Sequence, residues 1–330
     1  MKRSEFIARI LIIAGMLLAI GAPLFFWAHT PLIHAQMAEN GGWSPDVIQA
    51  EVGQALHLKL TSDDVTHGFA VGQMNMDAVD VEPGKVANIT LTFDKPGIYT
   101  FYCTRWCGLN HWRMRGTIEV SGSLSTPEPV SPPLYMVLGL DIDAPHNSPV
   151  VPAEKPSAIS GQQFSSNLPV SDAADYYRAH SPFQIFDELN NTSLTESQRW
   201  DVVAYIWQSN TTKASLANGQ QIYIQNCAAC HGENGGGNGV FANDLKAADD
   251  ASAQTMAGVQ DMQMQTPANF TDPTRMLGAS PALLQGKILR GGMGTGMPMW
   301  GSIFTKEQIW DLIAYIYSFQ FEYQPEGVNQ

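Results

Sequence analysis

The chain has 330 residues, enough for two or three domains, and a hydrophobic content of 44%, which is ordinary for a protein with folded cores. Its 31 acidic residues outnumber the 18 basic ones and give a net charge of −13. Because a nucleic-acid-binding protein needs a basic surface, this balance argues against a nucleic-acid partner.

Residues 1–35 are predicted to anchor the chain in a membrane. Residues 10–27 are 18 consecutive uncharged, mostly apolar residues, just long enough to cross a bilayer. The basic residues of this segment precede the run, which predicts a single-pass protein of the cell membrane. Its N-terminus would be cytoplasmic and its main domains periplasmic or extracellular. A cleaved signal peptide is the alternative, but the best candidate cleavage site, residues 33–35, begins with a bulky isoleucine.

Residues 36–121 show the alternation of apolar and polar side chains that is typical of β-strands. Several short strands within one segment of this length predict a small sandwich or barrel. The alternation is clearest in five stretches: 47–52, 56–60, 86–93, 97–102 and 116–120.

Residues 122–160 contain eight prolines, a composition typical of a stiffened linker. Within it, residues 134–140 form an apolar island that we expect to pack on a neighbouring element.

From residue 161 the pattern becomes helical, and an internal repeat is present. SLTESQRWDVVAYI (193–206) aligns with IFTKEQIWDLIAYI (303–316), and both carry a Thr followed three places later by Gln, which predicts a capping box at the start of a helix. We interpret residues 161–213 and 214–330 as two copies of one helical module. Only the second copy contains the motif CAACH, at residues 227–231.

The motif Cys227-Ala-Ala-Cys230-His231 has the spacing of covalent haem attachment. A redox dithiol would need a βαβ context, and a zinc site would need another Cys/His pair nearby; both are absent from this part of the sequence. The context instead contains a helix before the motif, a glycine-rich loop after it and two further helices, one starting at Ser280-Pro281.

This order of features resembles class I cytochromes c. In that family a Met-Pro turn supplies the sixth iron ligand, and Met297 in GMPMWG matches that position, with Met299 and Met293 as alternatives. The resemblance implies that residues 161–213 are a haemless, degenerate copy of the module. It also implies four residues that hold a covalent haem c: Cys227, Cys230, His231 and Met297.

The other two cysteines lie in FYCTRWCGLNHWRM, residues 101–114. A disulfide between Cys103 and Cys107 would leave His111 and Met114 unexplained. Zinc could take both thiols and two histidines, but it makes no use of a thioether. Two thiolates, imidazoles and a thioether form the soft donor set that suits copper in electron transfer.

The spacing Cys-x-x-x-Cys-x-x-x-His-x-x-Met, with a histidine upstream, is similar to the binuclear CuA site of subunit II of haem–copper oxidases. The resemblance implies that residues 36–121 form a cupredoxin sandwich and that both sulfurs bridge a copper pair. It implies six copper-site residues: His67, Cys103, Arg105, Cys107, His111 and Met114. Many family members have Glu where Arg105 stands, but the ligand there is the backbone carbonyl. We hypothesise that the added positive charge raises the reduction potential or alters docking.

The fold class predicted for the whole chain is multidomain: one N-terminal transmembrane helix, an all-β cupredoxin sandwich and an all-α cytochrome c domain. The implied ligand sets leave no open coordination position, so we expect no catalytic site in this chain. The resemblance implies the electron-entry subunit of a cytochrome c oxidase-type oxygen reductase. An external donor, such as a soluble cytochrome or cupredoxin, would reduce haem c, and electrons would pass through CuA to a polytopic subunit I. A CuA-containing subunit of a nitric oxide reductase and a free-standing, membrane-anchored electron shuttle are the alternatives.

Overall fold

The computed structural model describes residues 30–74, 76–108, 111–123, 131–166, 168–243, 266–292 and 297–323. The predicted membrane run, residues 10–27, lies outside the described residues. Among the described residues, no helix is long and apolar enough to span a bilayer. The chain divides into two compact units, residues 1–71 with 76–126 and residues 72–75 with 127–330.

The first unit is built from β-strands. Nine strands are present in its described part: β1 Leu32–Ala35, β2 Trp43–Ser44, β3 Val47–Glu51, β4 Ala55–Ser62, β5 His67–Val71, β6 Val79–Val81, β7 Ala87–Thr92, β8 Gly97–Cys103 and β9 Arg115–Ser121. They form a four-stranded sheet in the order β2-β1-β4-β7 and a five-stranded sheet in the order β3-β9-β8-β5-β6. The pairs β1/β4 and β3/β9 are parallel, and the other neighbours are antiparallel.

The two sheets contribute fully buried side chains to the core of this unit, among them Leu58 and Leu60 from β4, Phe69 from β5 and Phe101 from β8. The five stretches with clear alternation all lie on strands, so the predicted all-β fold is confirmed. Strand β1 begins before residue 36, where the β domain was expected to start, because it pairs in parallel with β4.

The second unit is helical. Its described part contains ten α-helices: α1 Leu134–Val137, α2 Ala158–Gln162, α3 Ala174–Ala179, α4 Pro182–Glu188, α5 Glu196–Ser209, α6 Lys213–Asn226, α7 Ala228–His231, α8 Pro273–Met276, α9 Pro281–Arg290 and α10 Lys306–Tyr317. The predicted capping boxes open α5 and α10: the Thr195 and Thr305 hydroxyls accept hydrogen bonds from the third helical N–H, and the threonine amides donate to the side-chain oxygens of Gln198 and Gln308.

The repeat extends to helix packing. Helix α2 packs against α5, and α6 packs against α10. A methyl group on Gly161 of α2 would lie 1.9 Å from the carbonyl oxygen of Asp201, and one on Gly219 of α6 would lie 2.1 Å from that of Asp311. Each copy therefore has a glycine that lets two helix backbones approach closely.

The interior of the predicted haemless module is filled by its own side chains. Phe186 and Trp200 are buried and stack with ring centroids 4.2 Å apart. Towards its C-terminal end, Trp207 is buried and donates its indole N–H to the carbonyl of Ala314 at 3.2 Å. The module thus has a packed aromatic core and is hydrogen-bonded to the last helix of the second copy.

The proline-rich segment also packs within the second unit, although its composition predicts a linker. The amide of Leu134 donates to the side-chain oxygen of Gln285 at 3.0 Å, which fixes α1 against α9. Arg290 at the end of α9 forms a bidentate ion pair with Asp143, with both distances 2.6 Å. The expectation that residues 134–140 pack on a neighbouring element is therefore met by α9.

Candidate copper and haem sites

The predicted copper-site residues lie on the paired strands β5 and β8 and in the loop that connects β8 to β9. His67 opens β5 and Cys103 ends β8, and these antiparallel strands pair Phe69 with Cys103. Cys107 lies in the loop that follows, His111 begins a short 3₁₀ turn, and Met114 immediately precedes β9.

The donor atoms of His67, Cys103, Cys107 and Met114 converge, and those of the first three lie within 4.8 Å of one another. Sγ of Cys103 lies 3.8 Å from Nδ1 of His67 and 3.8 Å from Sγ of Cys107. Sγ of Cys107 lies 3.3 Å from Sδ of Met114. Both cysteines are free thiols, so the structure does not contain the alternative disulfide. The thiol of Cys103 also faces the backbone carbonyl of Arg105 at 3.2 Å, the carbonyl that the family resemblance implicated.

His111 is 3% exposed, and its Nδ1 atom has no hydrogen-bond partner among the described residues. A buried imidazole nitrogen without a partner is costly unless something else, such as a metal ion, satisfies it. The ring of Trp106 lies over His111, with centroids 4.1 Å apart. The orphaned nitrogen supports the assignment of His111 as a ligand.

Asp64 orients His67. Nε2 of His67 donates to Oδ1 of Asp64 at 2.7 Å, which leaves Nδ1 to face the Cys103 sulfur. Burial acts to raise the pKa of Asp64, but hydrogen bonds from the amide of Met37, from His67 and from the amide of Val65 lower it to about 2. Burial acts to lower the pKa of His67, but the hydrogen bonds to Cys103 and Asp64 outweigh burial, so the pKa of His67 is raised.

The two thiols shift each other's pKa in opposite directions. The hydrogen bond from Cys107 lowers the pKa of Cys103, and the same bond raises the pKa of Cys107. The pair therefore loses its first proton easily and holds the second. Because metal ions bind thiolates, a metal that uses both sulfurs must displace that second proton.

Aromatic side chains line the site on the core side. The indole of Trp43 donates to the carbonyl of Met114 at 3.1 Å. Its ring packs edge-on against Phe69 and Phe101, with centroids 5.6 and 5.8 Å away. This wall fixes the backbone at Met114 and keeps water from the donors on that side.

The second cluster lies around α7. The helical turn places the amides of Cys230 and His231 on the carbonyl of Cys227, at 3.1 and 2.9 Å. Nδ1 of His231 lies 3.0 Å from the carbonyl of Ala268, and the ring stacks on Phe270 with centroids 4.5 Å apart. Since Nδ1 donates to that carbonyl, Nε2 is left as the atom that can bind a metal.

Burial controls the protonation of this cluster. It lowers the pKa of His231, with the bond to Ala268 opposing, and so keeps the imidazole neutral as a ligand must be. It raises the pKa of Cys227 to about 12 and that of Cys230 to about 11. Both thiols are free, as covalent attachment to haem requires.

The sixth-ligand candidates differ in their surroundings. Met297 is half-buried, whereas Met299 is 62% exposed, which makes Met299 the poorer candidate for an iron ligand. Met293 lies outside the described residues. Met297 as the iron ligand stays a prediction.

Sequence reasoning missed the groups that support the ligands. Asp64 and Trp43 act through hydrogen bonds, and Asp80 contacts the side chain of Arg105. The acidic pair at 63–64, just before His67, is the one local signal that could have indicated such a partner.

Comparison with known proteins finds one family match in the β-strand part of the chain and another in the helical part. Residues 45–121 match the family model for the periplasmic domain of cytochrome c oxidase subunit II, and residues 216–320 match the family model for cytochrome c.

Among relatives, cytochrome c oxidase subunit 2 of Thermus thermophilus is 43% identical over 79 residues, 24% of this chain and 58% of that protein. The match thus spans little more than half of that relative. Nitrous-oxide reductase of Cupriavidus necator is 42% identical over 67 residues, 19% of this chain and 10% of that protein. The periplasmic domain of subunit II from Bradyrhizobium japonicum is 18% identical, with a TM-score of 0.25, over 28% of this chain and 84% of that one. The chain therefore combines a periplasmic domain of the cytochrome c oxidase subunit II type with a C-terminal cytochrome c domain.

Proposed function

We propose that this chain is the electron-entry subunit of a membrane haem–copper oxygen reductase. It takes electrons one at a time from an external donor and relays them from haem c through CuA to subunit I. The observation that carries the proposal is the buried donor cluster, in which two free thiols 3.8 Å apart lie beside His67 and Met114. The subunit II family match covers this cluster.

The donor set fits copper. Thiolate, imidazole and thioether are soft donors, and zinc, the rival metal, does not use the thioether that lies 3.3 Å from Cys107. Bound copper would supply one-electron transfer at this site. The residues that would hold it are His67, Cys103, Cys107, His111, Met114 and the carbonyl of Arg105.

Hydrogen bonds and packing within the protein hold these donors in place. Asp64 fixes the ring of His67, and Trp43 fixes the backbone at Met114. Ligands held by hydrogen bonds and packing need little rearrangement when the charge of the site changes. This property suits electron transfer.

The haem site also fits its group. Cys227 and Cys230 would form the two thioether bonds, and His231, oriented by Ala268, would bind iron through Nε2. Met297 is proposed as the sixth ligand. A His/Met-ligated haem has a relatively high potential and supplies a second one-electron centre. Carrying the cytochrome on the same chain raises its effective concentration at the copper domain.

The proposal requires a polytopic partner, because the two ligand sets leave no position for oxygen to bind. We propose that the apolar run at residues 10–27 anchors the chain by a single span with a cytoplasmic N-terminus, and that both domains lie on the periplasmic or extracellular side. The predicted anchor segment, residues 1–35, is thereby shortened, because residues 32–35 form strand β1 of the β domain.

Metal analysis and EPR spectroscopy of the full chain test the proposal. We expect two copper ions and one covalent haem per chain, with a mixed-valence copper signal. Cys107→Ser should abolish the binuclear signal, whereas the matched control His57→Gln, at an exposed histidine bonded to Thr90, should keep it. Zinc in place of copper, or a Cys103–Cys107 disulfide in the native protein, would overturn the copper assignment.

Purification of the native assembly tests the partner. A polytopic haem protein that reduces oxygen should co-purify with the chain. Turnover of nitric oxide by that assembly would assign the chain to a nitric oxide reductase, and a chain that purifies alone from native membranes would be a free-standing shuttle.

A further inference from the structure

Arg105 does not present a free positive charge. Its Nε donates to Oδ1 of Asp80 and its Nη2 to Oδ2, both at 2.7 Å, which is the fork geometry of a bidentate pair. The two side chains are 52% and 48% exposed. Because the carboxylate offsets the guanidinium, the hypothesis that Arg105 acts as an added charge loses its basis.

The loop between the two cysteines lies directly on β5. The amide of Thr104 donates to the carbonyl of Gly68 at 3.1 Å. A methyl group on Gly68 would come within 2.0 Å of the Thr104 hydroxyl oxygen and 3.3 Å of Cγ of Arg105. Only glycine leaves room for the loop at this point.

Asp80 occupies the position opposite that glycine. In the antiparallel pair of β5 and β6, Gly68 faces Asp80 and the ligand His67 faces Val81. Strand β6 is the edge of its sheet. The side chain of Arg105 therefore reaches across β5 and is held by the edge strand.

The same residue carries the carbonyl that faces the copper-site sulfur. The oxygen of Arg105 lies 3.2 Å from Sγ of Cys103. A clamp on the side chain of Arg105 restricts the position of its own backbone, and with it the direction of this carbonyl.

We propose that Asp80 is a positioning residue for the copper site. Its fork with Arg105 holds the ligand loop against Gly68 and so fixes the Arg105 carbonyl beside Cys103. The proposal rests on the proposed copper function. An exposed ion pair adds little to global stability, so the effect belongs in the geometry of the site and in how firmly it keeps its metal.

Four forms of the copper-loaded full chain test this role: Asp80→Asn, Arg105→Gln, the double variant, and the charge swap Asp80→Arg with Arg105→Asp. EPR hyperfine structure, midpoint potential and copper release to a chelator are measured for each. The matched control is Glu82→Gln, which removes an acidic charge that acts on Arg105 but leaves the Asp80 fork in place, because Glu82 forms its ion pair with Lys85.

We expect both single variants to change the hyperfine pattern in the same direction. We also expect them to release copper about threefold to fivefold faster, because the free energy of one exposed ion pair allows a change of about this size. The double variant should match the singles, the charge swap should restore most of the wild-type behaviour, and Glu82→Gln should have no effect.

Different results would overturn the role. If the pair acted only through its charges, Asp80→Asn would raise the midpoint potential, Arg105→Gln would lower it, and the double variant would cancel both. Unchanged spectra and release rates would make the fork a surface ion pair only. A wild-type chain without a binuclear copper signal would overturn the proposed function and this role with it, whereas a normal wild type with unmoved variants would overturn this role alone.

Discussion

Replacing Gly219 of α6 by alanine should destabilise the cytochrome c domain, although alanine favours helix formation. The new methyl group would lie 2.1 Å from the carbonyl oxygen of Asp311, whereas side-chain carbons keep at least 3.0 Å from such atoms. The obstacle is backbone, so α10 has to move away by about 1 Å. Overpacking of this kind costs about 3 kcal/mol, and the helix propensity of alanine returns about 1 kcal/mol. We expect a net loss of about 2 kcal/mol.

Thermal unfolding of the haem-loaded chain, followed by the haem Soret band, measures this loss. For a unit of this size it corresponds to a melting temperature lower by about 4–8 °C. Gly161→Ala in the haemless module, whose methyl would lie 1.9 Å from the carbonyl of Asp201, should lower the same Soret transition. The reason is that Trp207 of the module is buried and bonded to Ala314 of α10, so the two copies should unfold together.

Ala217→Gly is the matched control, at an exposed position of the same helix. It should cost about 1 kcal/mol and so measures the propensity contribution by itself. If Gly219→Ala stabilised the domain by that amount, the close contact between α6 and α10 would be refuted. If Gly161→Ala left the Soret transition in place, the two copies would be independent folding units.

Three further predictions follow from the sites and the second unit. Asp64→Asn should weaken copper retention about tenfold, measured by competition with a chelator, because the amide cannot replace a carboxylate that accepts three hydrogen bonds. Met297→Leu should lower the haem reduction potential in a redox titration, and Met299→Leu should leave it unchanged. The ion pair with Arg290 holds the pKa of Asp143 below its ordinary value, so its contribution is present above that value and is lost as the pH falls through the lowered pKa. Arg290→Gln should therefore flatten the acid side of the stability curve in urea unfolding.

The elements that sequence reasoning identified are those whose signals are local. The capping boxes at Thr195 and Thr305 follow from two residues three places apart, and both are formed. Strands β4 and β7 alternate because one face of each is buried and the other is exposed.

Alternation does not reveal strand β5, which only the family resemblance implied by matching His67 to a ligand on a strand. All five of its residues, His67–Val71, are buried, so no alternation is present. One part of that burial comes from the ligand loop lying on Gly68, a contact between residues 36 positions apart. Strand β1 was missed because its alternation covers only four residues, Leu32–Ala35, and these lie in the segment that was assigned to the membrane anchor.

The proline-rich segment shows the limit of composition. Its prolines indicate a stiff, extended chain, and they carry no information about whether that chain packs. The contact of Leu134 with Gln285 joins residues 151 positions apart, and the pair of Asp143 with Arg290 joins residues 147 positions apart. Such contacts depend on where α9 lies, which only the folded structure shows.

In the proposed copper site, the ligands could be predicted from the sequence, whereas most of the residues that support them could not. Four of the ligands can be recognised by their spacing, because they lie close together at the end of β8 and in the loop that follows: Cys103, Cys107, His111 and Met114. Metal chemistry also restricts the residue types at these positions. Among their supports only Asp64, three residues before His67, leaves a local signal, whereas Trp43 and Asp80 act on the ligands from distant segments. The residue types of the ligands thus indicate which metal is bound, whereas residues on other segments set the positions of those ligands. This division explains why the role of Arg105 can be interpreted only once its partner Asp80 is known.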